Sequence, residues 1–321
     1  MSDRPPDTYG DVTGEYLALR REAGLVTGHR ELLWVEGADA VGFLDGLLSQ
    51  DVEGAAPGSV VRSFLLEPRG KVQSMLWVLR GDGRVGLLAD AGAADAAAAH
   101  LDRFRFRVDA AVRRDGRPVC EVWGPGTAAV LEGAGLPAGD GWADAGDATV
   151  ASIPLGRLPR VAVAVADDAP LAAAGARRAG WLASEAVRIE GGEPRVGVDV
   201  DASTIPHETG LTDALVSFTK GCYLGQELVA RIESRGHVNR LLRGVVLAEN
   251  LLPPPGAEVV AGGEVVGTLT SVGESLELRA PIGLATVRRE AAPGDPVTLR
   301  WTGGSARAVL AELPLDDFSG S

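Results

Sequence analysis

The chain has 321 residues, 45% hydrophobic and 23% charged, with a formal net charge of −13. That length exceeds one small core and predicts two or three domains, while the acidic balance excludes a general nucleic-acid-binding surface. Two cysteines in unrelated settings exclude a disulfide framework and imply a reducing compartment, and a chain with no signal-peptide core and no apolar run of membrane-span length is expected to be cytoplasmic.

Residues 1–10 are expected to be mobile, and 16–23 to form a short helix. Glu31–Val35 reads as a strand ending at Gly37, followed by a helix capped by Asp39 with Val41, Leu44, Leu47 and Leu48 on its apolar side. Residues 58–66 and 71–79 read as a hairpin whose turn, Glu67-Pro68-Arg69-Gly70, carries the residues that fix turn dihedrals. A strand at 84–88 and an Ala-rich helix, capped by Asp90 and running to Arg103, come next. Phe106, Val108, Ala110 and Val112 alternate with Arg105, Arg107, Asp109 and Arg113, predicting a strand with a basic face.

Val119–Val122 reads as a strand in which Cys120 packs in the core, since no cation, ligand spacing or glycine turn accompanies it. A helix at 127–131, a loop over 133–147, two strands within 153–166 and a helix at 169–180 complete an α+β region that resembles interleaved ferredoxin-like units. From Arg240 the character changes. Short strands at 241–247, 258–260, 264–271, 282–287, 296–301 and 306–312, broken by Pro253-Pro254-Pro255, Gly262-Gly263 and Gly303-Gly304, predict a small β-barrel. The division is therefore 1–239 and 240–321.

Lys220-Gly221-Cys222-Tyr223-Leu224-Gly225-Gln226-Glu227 stands out, because all but two of the 31 basic residues are arginine and one exception lies beside a cysteine. The thiol precedes a helical pattern formed by Leu228, Val229 and Ile232. A helix N-terminus and a nearby cation both favour thiolate, while Gly221 and Gly225 let a ligand approach. A small buried hydrophobe ahead of a helix is the other reading of the same residues. His207 and His237 lack ligand spacing with Cys222, so no metal site is expected.

The run Lys220–Glu227 with Val229-Ala230-Arg231 resembles the defining motif of the YgfZ family, folate-binding proteins related to the glycine-cleavage T-protein (aminomethyltransferase). The segment 33–52, Arg188-Ile189-Glu190-Gly191-Gly192 with Gly197 and Asp199, and Thr204-Ile205-Pro206-His207-Glu208 are similar to blocks of the same families. The resemblance implies the T-protein/YgfZ-like fold ending in a barrel, with tetrahydrofolate or a derivative as cofactor.

By that resemblance Glu190 and Glu208 face the folate pocket. Cys222 is the working group and Lys220 its stabilising cation. Tyr223, Gln226 and Glu227 shape the mouth, and Arg231 pairs with the glutamate tail. Trp34 and Trp181 are candidates for pocket walls. The T-protein's acid pair is replaced here by Gln73 and Ser74, which cannot serve as general acids near neutral pH. The YgfZ branch also lacks these acids, so the resemblance implies an accessory function that leans away from enzymatic turnover: support of iron–sulfur cluster assembly or repair and, through it, tRNA modification. Reduced folate and iron–sulfur client proteins or assembly factors are the expected partners, without a membrane, for a monomer. The alternative is a folate-dependent aminomethyl or methyl transferase or demethylase.

Overall fold

The structure, a computed structural model, describes residues 4–315. Helix α1 (Val12–Arg21) leads to strands β1 (Gly24–Thr27) and β2 (Arg30–Glu36) and helix α2 (Ala40–Asp45). The hairpin β3 (Val60–Leu66) and β4 (Val72–Arg80) continues into β5 (Arg84–Asp90), α3 (Ala94–Phe104) and β6 (Ala111–Arg114). Next come β7 (Val119–Trp123), α4 (Thr127–Gly133), β8 (Trp142–Ala145), β9 (Ala148–Ser152), β10 (Arg160–Ala164), α5 (Ala169–Ala173) and β11 (Arg177–Arg178). Helix α6 (Trp181–Glu190), a 3-10 turn (Pro206–Thr209), α7 (Thr212–Leu215) and α8 (Gln226–Arg235) precede the last six strands. These are β12 (Arg240–Leu247), β13 (Glu258–Ala261), β14 (Glu264–Ser275), β15 (Ala280–Arg288), β16 (Pro296–Trp301) and β17 (Gly304–Ala311).

The α+β architecture has three sheets. Five strands run in the order β3-β4-β5-β2-β6, six in the order β11-β1-β7-β10-β9-β8, and β12-β15-β14-β13-β16-β17 close into a barrel. Strand β1 belongs to one open sheet and β2 to the other, with only Gly28 and His29 between them. The two open sheets pack face to face: Leu32, Trp34, Trp77, Leu79 and Leu88 meet Val119, Ala151, Ile153, Ala162 and Ala164. Each large apolar side chain so buried contributes about 1.5–3 kcal/mol. The other face of the five-stranded sheet is covered by α2, the segment after it and α3 through Leu44, Leu48, Ala97 and Leu101. Cys120 lies within the core of the six-stranded sheet, and burial pushes its thiol pKa up to about 12.

Several local expectations are corrected. Residues 105–110 form no strand: the chain turns at Arg107, whose φ is 55°, and pairing begins only at Ala111. Asp39 does not cap α2; its carboxylate accepts the Asp109 N–H at 2.7 Å. Asp90 does not cap α3 either. It is buried at the end of β5, where Arg30 donates to it at 2.9 Å and the Val196 N–H at 3.0 Å. The loop expected over 133–147 contains β8, and the helix expected over 169–180 stops at Ala173.

Of the segment expected to be mobile, residues 1–3 lie outside the described residues and 4–10 are held. The Trp181 and Leu182 N–H groups donate to the carbonyls of Pro6 and Asp7 at 2.9 and 3.0 Å, and Glu15 accepts from Thr8 and the Tyr9 N–H, both at 2.7 Å. Positions 316–321, the end of the expected barrel segment, are also outside the described residues.

Candidate functional site

The Lys220–Glu227 run lies in the loop entering α8, and its side chains diverge. Cys222 is exposed. Lys220 is not: its side chain is 2% exposed and its ammonium donates to the Asp45 carboxylate at 2.9 Å and to the carbonyls of Asp45, Leu48 and Gln50 at 2.6–3.1 Å. A cation at carbonyls freed by a helix end is well placed electrostatically. Lys220 is thus an anchor for the loop, with its donors spent on α2 and the segment after it.

Tyr223 packs against the cluster of Phe64, Leu66 and Val72, and burial raises its phenol to about 12. The Gln226 side chain accepts the Tyr223 N–H at 3.1 Å. Glu227 and Arg231 pair with each other on the solvent face of α8. The loop is also fixed by the Leu224 N–H, which donates to the Gly46 carbonyl at 3.0 Å, and by Gly225, which touches the turn of the β3–β4 hairpin.

Glu190 and Glu208 are buried in different places and share no partner. Glu208 accepts the Ile205 N–H at 3.0 Å and Arg240 Nε at 3.3 Å, so it caps the 3-10 turn and ties it to β12. Glu190, at the end of α6, accepts from the hydroxyls of Tyr16 and Ser275, with Arg20 at 3.6 Å. Burial raises its pKa and prevails over those two hydrogen bonds, so this carboxyl holds a proton more readily than an ordinary glutamate.

Where the two open sheets and α6 converge lies a charged junction that local sequence does not announce. Glu193 accepts Arg160 through both oxygens, at 2.7 and 3.0 Å, and Arg30 and Arg62 approach it at 3.1 and 3.6 Å. Burial works to raise the Glu193 pKa, but Arg160 and Arg30 hold it well below the usual carboxylate range. Arg30 also meets Asp90, and its Nε faces Glu121 at 3.6 Å without a hydrogen bond. Beside this junction Glu185 is buried; Arg188 and Arg195 overcome the cost of burial and hold it at about 2.

The two voids at the junction measure about 10 Å³ each. That is room for a water molecule and not for a bicyclic heterocycle. A much larger cleft, about 610 Å³, opens between α1, α6 and β14. Tyr16, Trp181, Leu182, Val198 and Leu252 wall it, with Glu185 and Arg195 also in its lining. Trp181 stacks on His29 at 5.2 Å, and the Arg195 guanidinium sits 4.3 Å from its ring centre. Trp34 is elsewhere, buried between the sheets with its indole N–H on Asp115 at 2.7 Å. Among the described residues no helix is long and apolar enough to cross a membrane.

Residues 240–317 match the glycine cleavage T-protein C-terminal barrel domain. An aminomethyltransferase of Thermus thermophilus is 30% identical over 96% of this chain and 91% of its own length. The chain belongs to the aminomethyltransferase family. A second aminomethyltransferase, from Streptomyces avermitilis, is 27% identical over 90% of this chain and 85% of its own. The crystal structure of glycine cleavage system aminomethyltransferase T from Bartonella henselae superposes with a TM-score of 0.89 at 26% identity, covering 97% of this chain and 91% of that one.

This member of the aminomethyltransferase family carries no carboxylate at 73 or 74. Ser74 is buried with its hydroxyl unpartnered, and the β3–β4 register skips Gln73, which leaves that residue unpaired in the ladder. Sequence reading missed Tyr16 at the cleft and Arg62 and Arg160 at the charged junction. The surplus of arginine was the available signal; their convergence was not.

Proposed function

We propose that the chain binds a reduced folate in the cleft between α1, α6 and β14 and acts as a folate-dependent aminomethyl or methyl transferase or demethylase. The supporting observation is that cleft, roomy and largely apolar, with Tyr16 in its wall and Glu190 behind it, accepting the Tyr16 hydroxyl. Flat heterocycles favour apolar and aromatic walls with a few polar groups to orient them. Trp181, Leu182 and Val198 would hold the ring, and Glu185 and Arg195 would meet its polar edge or acidic tail. Glu190, its pKa raised by burial, would hold a proton one hydrogen bond behind the wall, a role that Gln73 and Ser74 cannot take.

Calorimetry with tetrahydrofolate tests the binding. The expected dissociation constant is in the micromolar range, roughly −8 kcal/mol, and Trp181→Ala should weaken it at least about tenfold. No heat at high protein concentration would remove the reading. Turnover of N-methyl substrates to methylene-folate or formaldehyde tests the transferase step.

A second reading is favoured by the exposure of Cys222 on a loop braced by Lys220, Leu224 and Gly225. In it the chain is a YgfZ-type accessory protein in the cytoplasm, monomeric and folate-binding. It would support iron–sulfur cluster assembly or repair and, through it, tRNA modification, with client proteins or assembly factors meeting the thiol. A knockout assayed for iron–sulfur enzyme activity separates the two. Under this reading the wild-type chain rescues and Cys222→Ser does not; equal rescue by both would reject it.

A further inference from the structure

Strand β14 loses one neighbour halfway along its length. β13 pairs with Glu264–Thr268, and the segment before β13 carries the pairing on to Leu269 through the Gly256 N–H and the Ala257 carbonyl, at 2.8 and 2.9 Å. Beyond the bulge at Thr270 only β15 accompanies β14, with Val272 opposite Gly283, Gly273 opposite Ile282 and Glu274 opposite Pro281. Antiparallel neighbours alternate between pairs that exchange hydrogen bonds and pairs that do not. Proline has no N–H to donate, so Glu274 and Pro281 are a pair of the second kind, and so are Val272 and Gly283 two positions away. The N–H and C=O groups of Val272 and Glu274 therefore point away from β15. Among the described residues no loop backbone bonds to them.

This bare stretch of strand lies inside a cleft. Val272, Gly273 and Glu274 line the space of about 610 Å³ that α1 and α6 also wall. The same cleft gathers four of the nine large hydrophobic residues that the described chain leaves exposed: Val12, Leu182, Val198 and Leu252, at 39–58%. Exposed apolar side chains collected in one place mark an interaction site. The charges of the cleft do not select its occupant, because Glu185 and Arg195 pair with each other; its backbone does. Two outward-facing residues on one strand offer two donors and two acceptors at the spacing of another extended chain.

We propose that an extended, apolar segment of a partner protein docks in this cleft as an added strand beside β14. Its main chain bonds to Val272 and Glu274, and its apolar side chains, alternating along the strand, rest against Leu182, Val198 and Leu252. A second copy of this chain does not fit, because its own β14 edge is recessed behind the same walls. Residues 316–321, Asp-Asp-Phe-Ser-Gly-Ser, lack the alternating apolar pattern. The proposal goes beyond folate binding and does not depend on it; a folate held by the same walls and the docked segment exclude each other.

A phage-displayed library of random heptapeptides, panned against the full chain without folate, tests the proposal. The expected enrichment is of sequences that alternate apolar and polar residues. In the free chain, amide hydrogen exchange followed by NMR should be fast at Val272 and Glu274 and slow at Gly273, and an enriched peptide made synthetically should slow the first two at least about tenfold. Of two analogues N-methylated on alternate amides, the one methylated on its bonding side should bind at least about tenfold more weakly than the other. Leu252→Asp should weaken binding by a similar factor, about tenfold, with an unchanged melting temperature. No enrichment, enriched sequences without alternation, slow exchange at Val272 or Glu274 in the free chain, or equal binding of the two analogues would overturn the proposal. So would protection of those amides that disappears on dilution, which assigns the edge to a second copy, or in Phe318→Asp, which assigns it to the end of this chain. None of these readouts changes if tetrahydrofolate fails to bind.

Discussion

The Lys220 ammonium is sealed against Asp45, 2.9 Å from its carboxylate, with its other donors on backbone carbonyls. Removing one partner of a buried ion pair leaves the other charge uncompensated and costs about 3–5 kcal/mol. Lys220→Met should therefore lower stability by about that much, whereas Cys222→Ser, at an exposed position, should change it by no more than about 0.5 kcal/mol. Urea denaturation of the two variants checks this. Equal, small effects would mean that Lys220 does not hold the loop.

Glu193 is the hub of three arginines. Glu193→Gln leaves Arg30, Arg62 and Arg160 facing one another across a buried junction, and should destabilise by about 3 kcal/mol or more. Adding Arg62→Met should restore part of the loss, because Arg62 is the least tightly paired of the three. A double-mutant cycle in chemical denaturation reads the coupling.

His29 is half-buried, stacked on Trp181, with Ser184 Oγ at 3.1 Å. Loss of hydration depresses its pKa from 6.5 to about 3. The folded state thus keeps His29 neutral while the unfolded chain takes up a proton below about 6.5. Its contribution to stability is complete above that pH and falls as pH drops towards 3, by an amount on the order of a few kcal/mol. Melting temperatures between about pH 7 and about pH 5, above the range where the paired carboxylates protonate, should fall in the wild type and stay flatter in His29→Asn.

Gly225 has φ 81°, and a Cβ there would lie 2.7 Å from the Glu67 carbonyl oxygen and 3.1 Å from Gly70 Cα. The hairpin turn and the cysteine loop are in contact through two glycines. Gly225→Ala should cost at least about 1–2 kcal/mol and should displace the turn as well as the loop. Gly221→Ala, with open space around its Cβ position, should be mild. Comparable losses from the two would argue that the contact is unimportant.

The barrel was legible because each strand alternates over a short span and is punctuated by Pro or Gly, and α8 because its apolar residues recur at helical spacing. Helix α6 was harder. Every residue from Ala183 to Glu190 is buried, so it has no polar face to reveal a period, and its Arg188 and Glu190 are matched by Ser271 and Ser275 from a distant strand. The 105–110 stretch carries a strand-like pattern, but the backbone of Arg107 breaks it. Lys220 and Cys222 were recognised as a pair from their neighbourhood in sequence. Only the fold shows that one points into the protein and the other out of it.

The crossing at Gly28 and His29 bears on how the protein is made. Strand β1 pairs with β7, which leaves the ribosome about ninety residues later. At roughly 5–20 residues per second, it waits on the order of 5–20 s for its neighbour. During that interval the nascent β1 edge is uncovered, while by its end every strand of the five-stranded sheet has been made. Slowed translation between residues 30 and 119 would lengthen the exposure and raise demand for chaperones, whereas delay after residue 240 would leave both open sheets already assembled.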